Sequence, residues 1–500
     1  MGDSALTWRR QSLFNAATTM QRQRFLFAAL GLLTLWRWAL LPTLELAPEE
    51  ALAAVCVKNG AAGGIYGMGP LVPLLARIGM LVGGEGEFGV RFFAPLLALA
   101  ASLAVWRLMR GLFDLQIAGW AVVFLNVLPA FNIAAITLTS STVVFTLMPA
   151  AALCLRTALL QANPLHWSWW ATGGCVLGAS LAQPPGAAFM AAVAMVFMLP
   201  ERMRHHLRSR GFIVISAFWV VALICWLGSG AHVTVPEWRV LPNLLRWTVL
   251  SSPVLLMLFV MTTRMSFGHA PLLSPRSLPL AMLLPLAAVD FLFGPQARWP
   301  DMGGAVWMVF AAMLLAHRSM VPGGIAIEER VSLRTVAIVL AALQSAFLLQ
   351  TDLPRTLGLT WRFSRADKTD SDYMHFFTAD PSVGMRGWRE SAKLVSAALE
   401  QANLDGTWFA LAEDWRLAAE LDHYLGQKER VWAVSDDLSR RPVRSAIFVT
   451  TDPSTLAPPE DVRTRFGRFE VLSVARIMHA GNEVRWLKIF ACHADRTPDS

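Results

Sequence analysis

Long apolar runs dominate the first 350 residues of this 500-residue chain. They lie at Phe25–Leu41, Phe92–Val105, Leu115–Leu128, Thr142–Leu160, Trp167–Ala182, Pro184–Pro200, Phe212–Leu227, Thr248–Met261, Leu278–Phe293, Met302–Ala316 and Leu333–Gln350. A helix needs about 20 residues to cross the hydrocarbon core, and fewer when the run is flanked by snorkelling residues. Lipid offers no partner to a bare peptide group, so such runs cross as helices. The pattern predicts a polytopic α-helical membrane protein with about 11 transmembrane helices. Composition agrees, with 55% hydrophobic and 16% charged residues against about 25% charged in soluble domains.

Charge gives the orientation. Arg9, Arg10, Arg22 and Arg24 precede the first run, which predicts a cytoplasmic N-terminal segment over 1–24. The basic loop Glu201–Arg210 follows the sixth run and should lie on the same side. Residues 1–350 carry 23 Lys and Arg against 13 Asp and Glu, whereas residues 351–500 carry 20 against 22. The basic excess therefore belongs to membrane-flanking loops and gives no reason to expect nucleic acid as a partner. Cys56, Cys154, Cys175, Cys225 and Cys492 show no repeat, so neither a disulfide framework nor a metal site is indicated. His205-His206 lacks further ligands at metal-binding spacing.

With 25–350 as the membrane region, the segment 43–90 between the first two runs falls on the outer face, the periplasm of a bacterial inner-membrane protein. It is too polar and Gly-rich to cross. Acids at Glu45, Glu49 and Glu50 open a helix-like run, Pro48–Val57; a Gly-rich break at Gly60–Gly69 follows, then an amphipathic run, Pro70–Val82. Two short helices at a membrane surface are the expected structure. Carboxylates beside a bilayer are costly unless they face water or a polar site, so the cluster is a site candidate, although three solvated acids would give the same spacing. Charges within runs are few, Arg37 and Asp290 among them, and single charges near helix ends more often snorkel or pair structurally.

Beyond Gln350 the composition becomes that of a soluble domain, after a charged linker over 351–372. Residues 373–492 alternate helix-like runs (Gly387–Gln401, Asp414–Tyr424) with strand-like runs (Trp408–Ala412, Val431–Val434, Ala446–Thr450, Phe469–Ala475, Val484–Ala491). Asp414 is placed as an N-cap. A small α/β domain is predicted, periplasmic after an odd number of crossings. It has no phosphate loop, paired His ligands or nucleophile elbow.

At several points the chain resembles the GT-C superfamily of integral-membrane glycosyltransferases, in particular bacterial members similar to dolichyl-phosphate-mannose protein mannosyltransferases and lipid A aminoarabinose transferases. Glu45–Ala51 sits where that family has an acidic pair in its first outer loop. Gly69–Ala98 matches the surface helix and the next span, including Glu87, Phe88 and Arg91. Trp299-Pro300, Gly387-Trp388, Ala412–Leu421 with Tyr424, and Phe448-Val449 follow in the family's order. The resemblance implies transfer of a sugar from a polyprenyl-phosphate donor to a lipid, protein or glycan acceptor on the outer face. It implies no cofactor; a divalent metal is compatible but not indicated. Glu49 takes the place of the key acid, the general base on the acceptor hydroxyl, with Glu50 beside it. Arg91 is expected to orient the loop, to meet phosphate, or to pair with Glu87 four residues earlier. Ser141, Gln183 and Tyr66 complete the candidate substrate contacts.

The chain also departs from that pattern. It reads Met68-Gly69-Pro70 for His-Pro-Pro, Ser141 for a second acid, Gln183 for a phosphate-binding Lys, and Leu52, Ala53 and Val55 for aromatics. Losing the Lys removes a charge-assisted contact. A scaffold of the same fold that binds lipid-linked sugar or a partner is therefore the first alternative. A transporter is the second, although no paired halves or broken helices are evident in the sequence.

Overall fold

A computed structural model describes residues 21, 23–60, 69–161, 163, 165–182, 209–228, 335–336, 338–343, 385–402, 408–425, 431–434, 445–479 and 482–493. The expectations for spans six and eight to ten, Asp290, His205-His206, Trp299-Pro300 and the linker lie outside these residues.

Helix α1 (Gln23–Thr43) closes in a 3₁₀ turn at Leu41–Thr43, where Pro42 removes a backbone donor. The chain extends through Leu44 to Ala47 and enters α2 (Pro48–Lys58), with Pro at the first helical position, where its missing N–H costs nothing. Next come α3 (Leu71–Gly83), α4 (Glu87–Arg91) and α5 (Phe93–Leu112). Helices α3 and α4 approach backbone to backbone, and only Gly fits there. A Cβ on Gly89 would sit 1.8 Å from the Gly84 carbonyl oxygen, and one on Gly79 2.3 Å from that of Gly89. The sequence-predicted surface helices are thus present, but α3 is welded to the start of the second span.

Helix α6 (Leu115–Val127) opens on an Asp114 cap, whose Oδ1 accepts the Ile117 N–H at 2.7 Å. Its 13 residues reach only about 20 Å, short of a full crossing. Pro129 disfavours helical backbone at Leu128, and the chain continues through a short α7 (Pro129–Ala134). A Thr139 cap starts α8 (Ser140–Leu160); α9 (Trp167–Ala182) and α10 (Arg210–Gly228) follow. Among the described residues, Gln23–Thr43, Glu87–Leu112 and Ser140–Leu160 are long and apolar enough to cross a membrane. Small residues Ala94, Ala98 and Ala101 are buried along α5, and Thr146 of α8 donates to the Leu97 carbonyl at 2.9 Å, a polar tie of the type that holds helices together in lipid.

Arg37 does not snorkel. It is buried, donates from Nη2 to Asn126 Oδ1 at 3.1 Å and Asn132 Oδ1 at 2.8 Å, and lies over the Phe131 ring. It therefore staples the α6–α7 break to α1.

The C-terminal residues form α11 (Trp388–Ala402), β1 (Phe409–Ala412), α12 (Trp415–Leu425), β2 (Trp432–Ala433), β3 (Ala446–Thr450), α13 (Glu460–Arg463), β4 (Arg468–His479) and β5 (Asn482–His493). The sheet order is β2-β1-β3-β5-β4, parallel from β2 to β3 and antiparallel beyond. Period-two alternation divides its core. Ala410, Ala412, Ile447, Val449, Leu487 and Ile489 pack under α11 and α12, while Phe409, Leu411, Phe448 and Phe490 pack against Val462 and Phe466. Helix α12 is the crossover between β1 and β2, and it also packs against α2.

Candidate active site

The two adjacent acids at the start of α2 have different environments. Successive helical residues point about 100° apart, so one of a pair can face the protein and the other away. Glu50 is fully buried. Its Oε1 accepts from Arg91 Nε at 2.9 Å and from the Leu138 N–H at 2.7 Å; its Oε2 accepts from Arg91 Nη2 at 2.6 Å and from the Ala47 N–H at 2.9 Å. The last contact is half of a capping box, since Ala47 lacks the hydroxyl that would complete it.

Arg91 spends its remaining donors on the backbone. Nη1 reaches the Leu41 and Leu44 carbonyls at 3.2 and 2.7 Å, and Nη2 the Glu45 carbonyl at 2.7 Å. All five guanidinium N–H groups are thereby engaged. Two expectations are corrected here. Arg91 pairs with Glu50 rather than with Glu87, and it has no donor left for a phosphate. Its remaining donors go to the loop backbone at Leu41, Leu44 and Glu45. Glu50 likewise has both oxygens committed to these donors and no exposed surface.

Glu49 occupies the same first turn but is only half-buried. The helix N-terminus stabilises negative charge there. Ser141, in the first turn of α8, is buried in the corner where Leu138 meets Glu50; Thr142 fixes that corner by donating to the Thr137 carbonyl at 2.6 Å. Glu50, Arg91 and the Ser141 corner are thus brought together. Tyr66 and Gln183 lie outside the described residues.

The C-terminal region supplies the other half of the frame. Glu45 caps α11, accepting the Trp388 N–H at 2.6 Å and the Arg389 N–H at 3.3 Å. Gly387, at φ 76°, makes the turn into that helix. Glu87 forms an ion pair with Arg389 and accepts the Tyr424 hydroxyl at 3.1 Å, while that hydroxyl accepts the Leu46 N–H at 2.8 Å. Sequence reasoning missed Arg389 and the docking roles of Glu45 and Glu87. Their partners lie more than 300 residues away, so no local pattern marks them.

Around this seam α12 carries Glu420, fully buried, and His423. Burial raises the Glu420 carboxyl well above its ordinary value of 4.5; nearby Arg485 opposes this, and Glu50, Glu45 and Glu49 add to it. Burial lowers His423 from 6.5 to about 4. Folded Glu420 keeps its proton after the unfolded chain has lost it, so its stabilising effect is complete below pH 4.5 and declines as pH rises. His423 acts in the opposite sense, and its contribution is lost as pH falls from 6.5 towards 4. Glu420→Gln should accordingly remove the part of the pH dependence in which melting weakens as pH rises above 4.5, and leave the His423 part, in which it weakens as pH falls from 6.5 towards 4.

Among the described residues, no group of three or more His, Cys, Asp or Glu is arranged to hold a metal ion. Residues 68–228 match the family model described as dolichyl-phosphate-mannose-protein mannosyltransferase. No curated protein matches the chain by sequence. Among solved structures, ArnT from Cupriavidus metallidurans bound to undecaprenyl phosphate is similar with a TM-score of 0.58 at 14% identity, over 95% of this chain and 99% of that one. The apo form of the same protein gives 0.53 at 14% identity, over 94% and 98%. Arabinofuranosyltransferase AftD from Mycobacteria gives 0.50 at 14% identity, over 95% of this chain but 40% of that one. Identities this low speak for the fold alone, and the fold of this chain is the one it shares with ArnT.

Proposed function

We propose that the protein transfers a sugar from a polyprenyl-phosphate donor to a lipid, protein or glycan acceptor at the outer face of a bacterial inner membrane. In this reading the C-terminal α/β domain is periplasmic, and Glu49 is the general base. The observation that carries it is the division of labour between neighbouring acids: Glu50 is spent on Arg91, Leu138 and Ala47, and Glu49 stays half-buried on the fixed first turn of α2. A base must come within about 2.6–3.2 Å of the hydroxyl proton it takes. Glu49 removes the acceptor proton as the acceptor oxygen attacks the anomeric carbon. The bond from that carbon to the phosphate oxygen breaks, and polyprenyl phosphate leaves with the electron pair. The solved relative with bound undecaprenyl phosphate supports a lipid-phosphate donor by analogy of fold.

One observation favours a binding-only scaffold as the second reading. The guanidinium beside the acids has no donor left for phosphate. Proteoliposomes containing the full chain separate the two readings. Labelled sugar should move to an acceptor from a polyprenyl-phosphate donor and not from a nucleotide sugar. Saturable donor binding without any transfer would support the scaffold.

A further inference from the structure

The acidic loop is held on two sides by different parts of the chain. From the membrane region, Arg91 gathers the carbonyls of Leu41, Leu44 and Glu45, and Glu50 takes the Ala47 N–H. From the C-terminal region, one hydroxyl takes the next free backbone group: Tyr424 accepts the N–H of Leu46, a fully buried residue two positions before α2. The same hydroxyl donates to Glu87 Oε1, which lies at the entry to the second span. Tyr424 thereby ties three elements through one atom: the loop ahead of Glu49, the start of α4, and α12 of the C-terminal sheet. Its ring is steadied by the Arg389 guanidinium at 5.9 Å and by the His423 imidazole, edge-on at 4.8 Å.

We propose that Tyr424 is a positioning residue for the transfer reaction, acting through the Leu46 amide on the placement of Glu49; this rests on the proposed function above. Residues 44–47 are extended or capping backbone with no helix or sheet ladder of their own, so their geometry is set by these side-chain contacts. Removing the hydroxyl leaves a buried N–H without its acceptor, which the loop can relieve only by moving towards another partner. A shift of about 1 Å at a reacting group costs on the order of a hundredfold in rate. The C-terminal domain then contributes to catalysis without touching substrate.

The test uses the full chain in nanodiscs and the variant Tyr424→Phe. Hydrogen exchange of the peptide spanning residues 44–50 should accelerate about tenfold, as expected for one lost hydrogen bond, with β1, β3 and β5 unchanged. In the transfer assay, kcat should fall roughly tenfold to a hundredfold while KM for the lipid donor stays within about twofold. Residues that act as a unit are non-additive, so Tyr424→Phe added to Glu49→Asp should cost far less than it does alone. A purely structural role would lower both backgrounds by the same factor, and that result overturns the positioning role. Unchanged exchange at 44–50, or undiminished kcat, overturns it as well. Wild-type protein that transfers no sugar from a polyprenyl-phosphate donor overturns the functional reading, and the catalytic part of this one with it.

Discussion

Arg91→Ala is expected to leave little folded protein. The substitution strands a carboxylate that has no exposed surface, and it strips the Leu41, Leu44 and Glu45 carbonyls of their donor in one step. Removing one partner of a buried ion pair costs about 3–5 kcal/mol, a large part of what a domain has to lose. Arg91→Lys should fare little better. Lysine has three donors on one point charge, where the site uses a planar fork reaching in several directions. The informative variant is the double replacement Arg91→Met with Glu50→Leu, which removes both charges at similar volume. Apolar replacement of a whole buried pair is often tolerated, so the double variant should recover much of the stability lost by Arg91→Ala. The Ala47 and Leu138 N–H groups still lose their acceptor, so recovery should stop short of wild type. Folded yield and thermal midpoint after detergent extraction are the readouts. A stable, monodisperse Arg91→Ala would show that the pair does not hold the loop.

Membrane helices were legible because lipid imposes a length and a polarity that apolar runs record directly. Trp167–Ala182 was read to the residue and the two ends of α8 closely, whereas α5 continues past the expected end at Val105 to Leu112 and is preceded by the turn Glu87–Arg91. Strands β1, β3 and β5 were legible as short strand-like runs, and the Asp414 cap, whose Oδ1 accepts the Leu417 N–H at 2.9 Å, was legible too. The break after Val127 was signalled by Leu128-Pro129, and the third run, read as Leu115–Leu128, ends at it; what the run did not show is that α6 is short of a full crossing and is followed by the short helix α7. At the site, the sequence marked two adjacent acids but not which one is buried. One signal was available: Glu50 stands three residues after Ala47, the position from which an acid reaches back to cap its own helix. The Arg91–Glu50 pair spans 41 residues and Tyr424–Leu46 spans 378, and contacts at such separation leave no periodicity.

The second large effect is expected at Glu49. Glu49→Gln keeps size and shape and removes the basic oxygen, while Glu50, Arg91 and Tyr424 continue to hold the loop. Loss of general-base catalysis is commonly about a hundredfold to ten-thousandfold in rate. The thermal midpoint should move less than in Glu50→Gln, because Glu49 is half-buried and Glu50 fully buried. Glu50→Gln should behave in the opposite manner. Its amide nitrogen would face donors from Arg91, Ala47 and Leu138, so stability should fall first and activity only in proportion to the folded protein that remains.

The division of labour between these two carboxylates is tested most directly by one comparison. Transfer from a labelled polyprenyl-phosphate sugar is measured for wild type, Glu49→Gln and Glu50→Gln, each normalised to folded protein in the same membranes. The account predicts that Glu49→Gln is folded and at least about a hundredfold slower, while Glu50→Gln is poorly folded yet close to wild type per folded molecule. A Glu49→Gln protein that transfers sugar at the wild-type rate, or a well-folded Glu50→Gln protein that does not transfer it, would contradict the assignment.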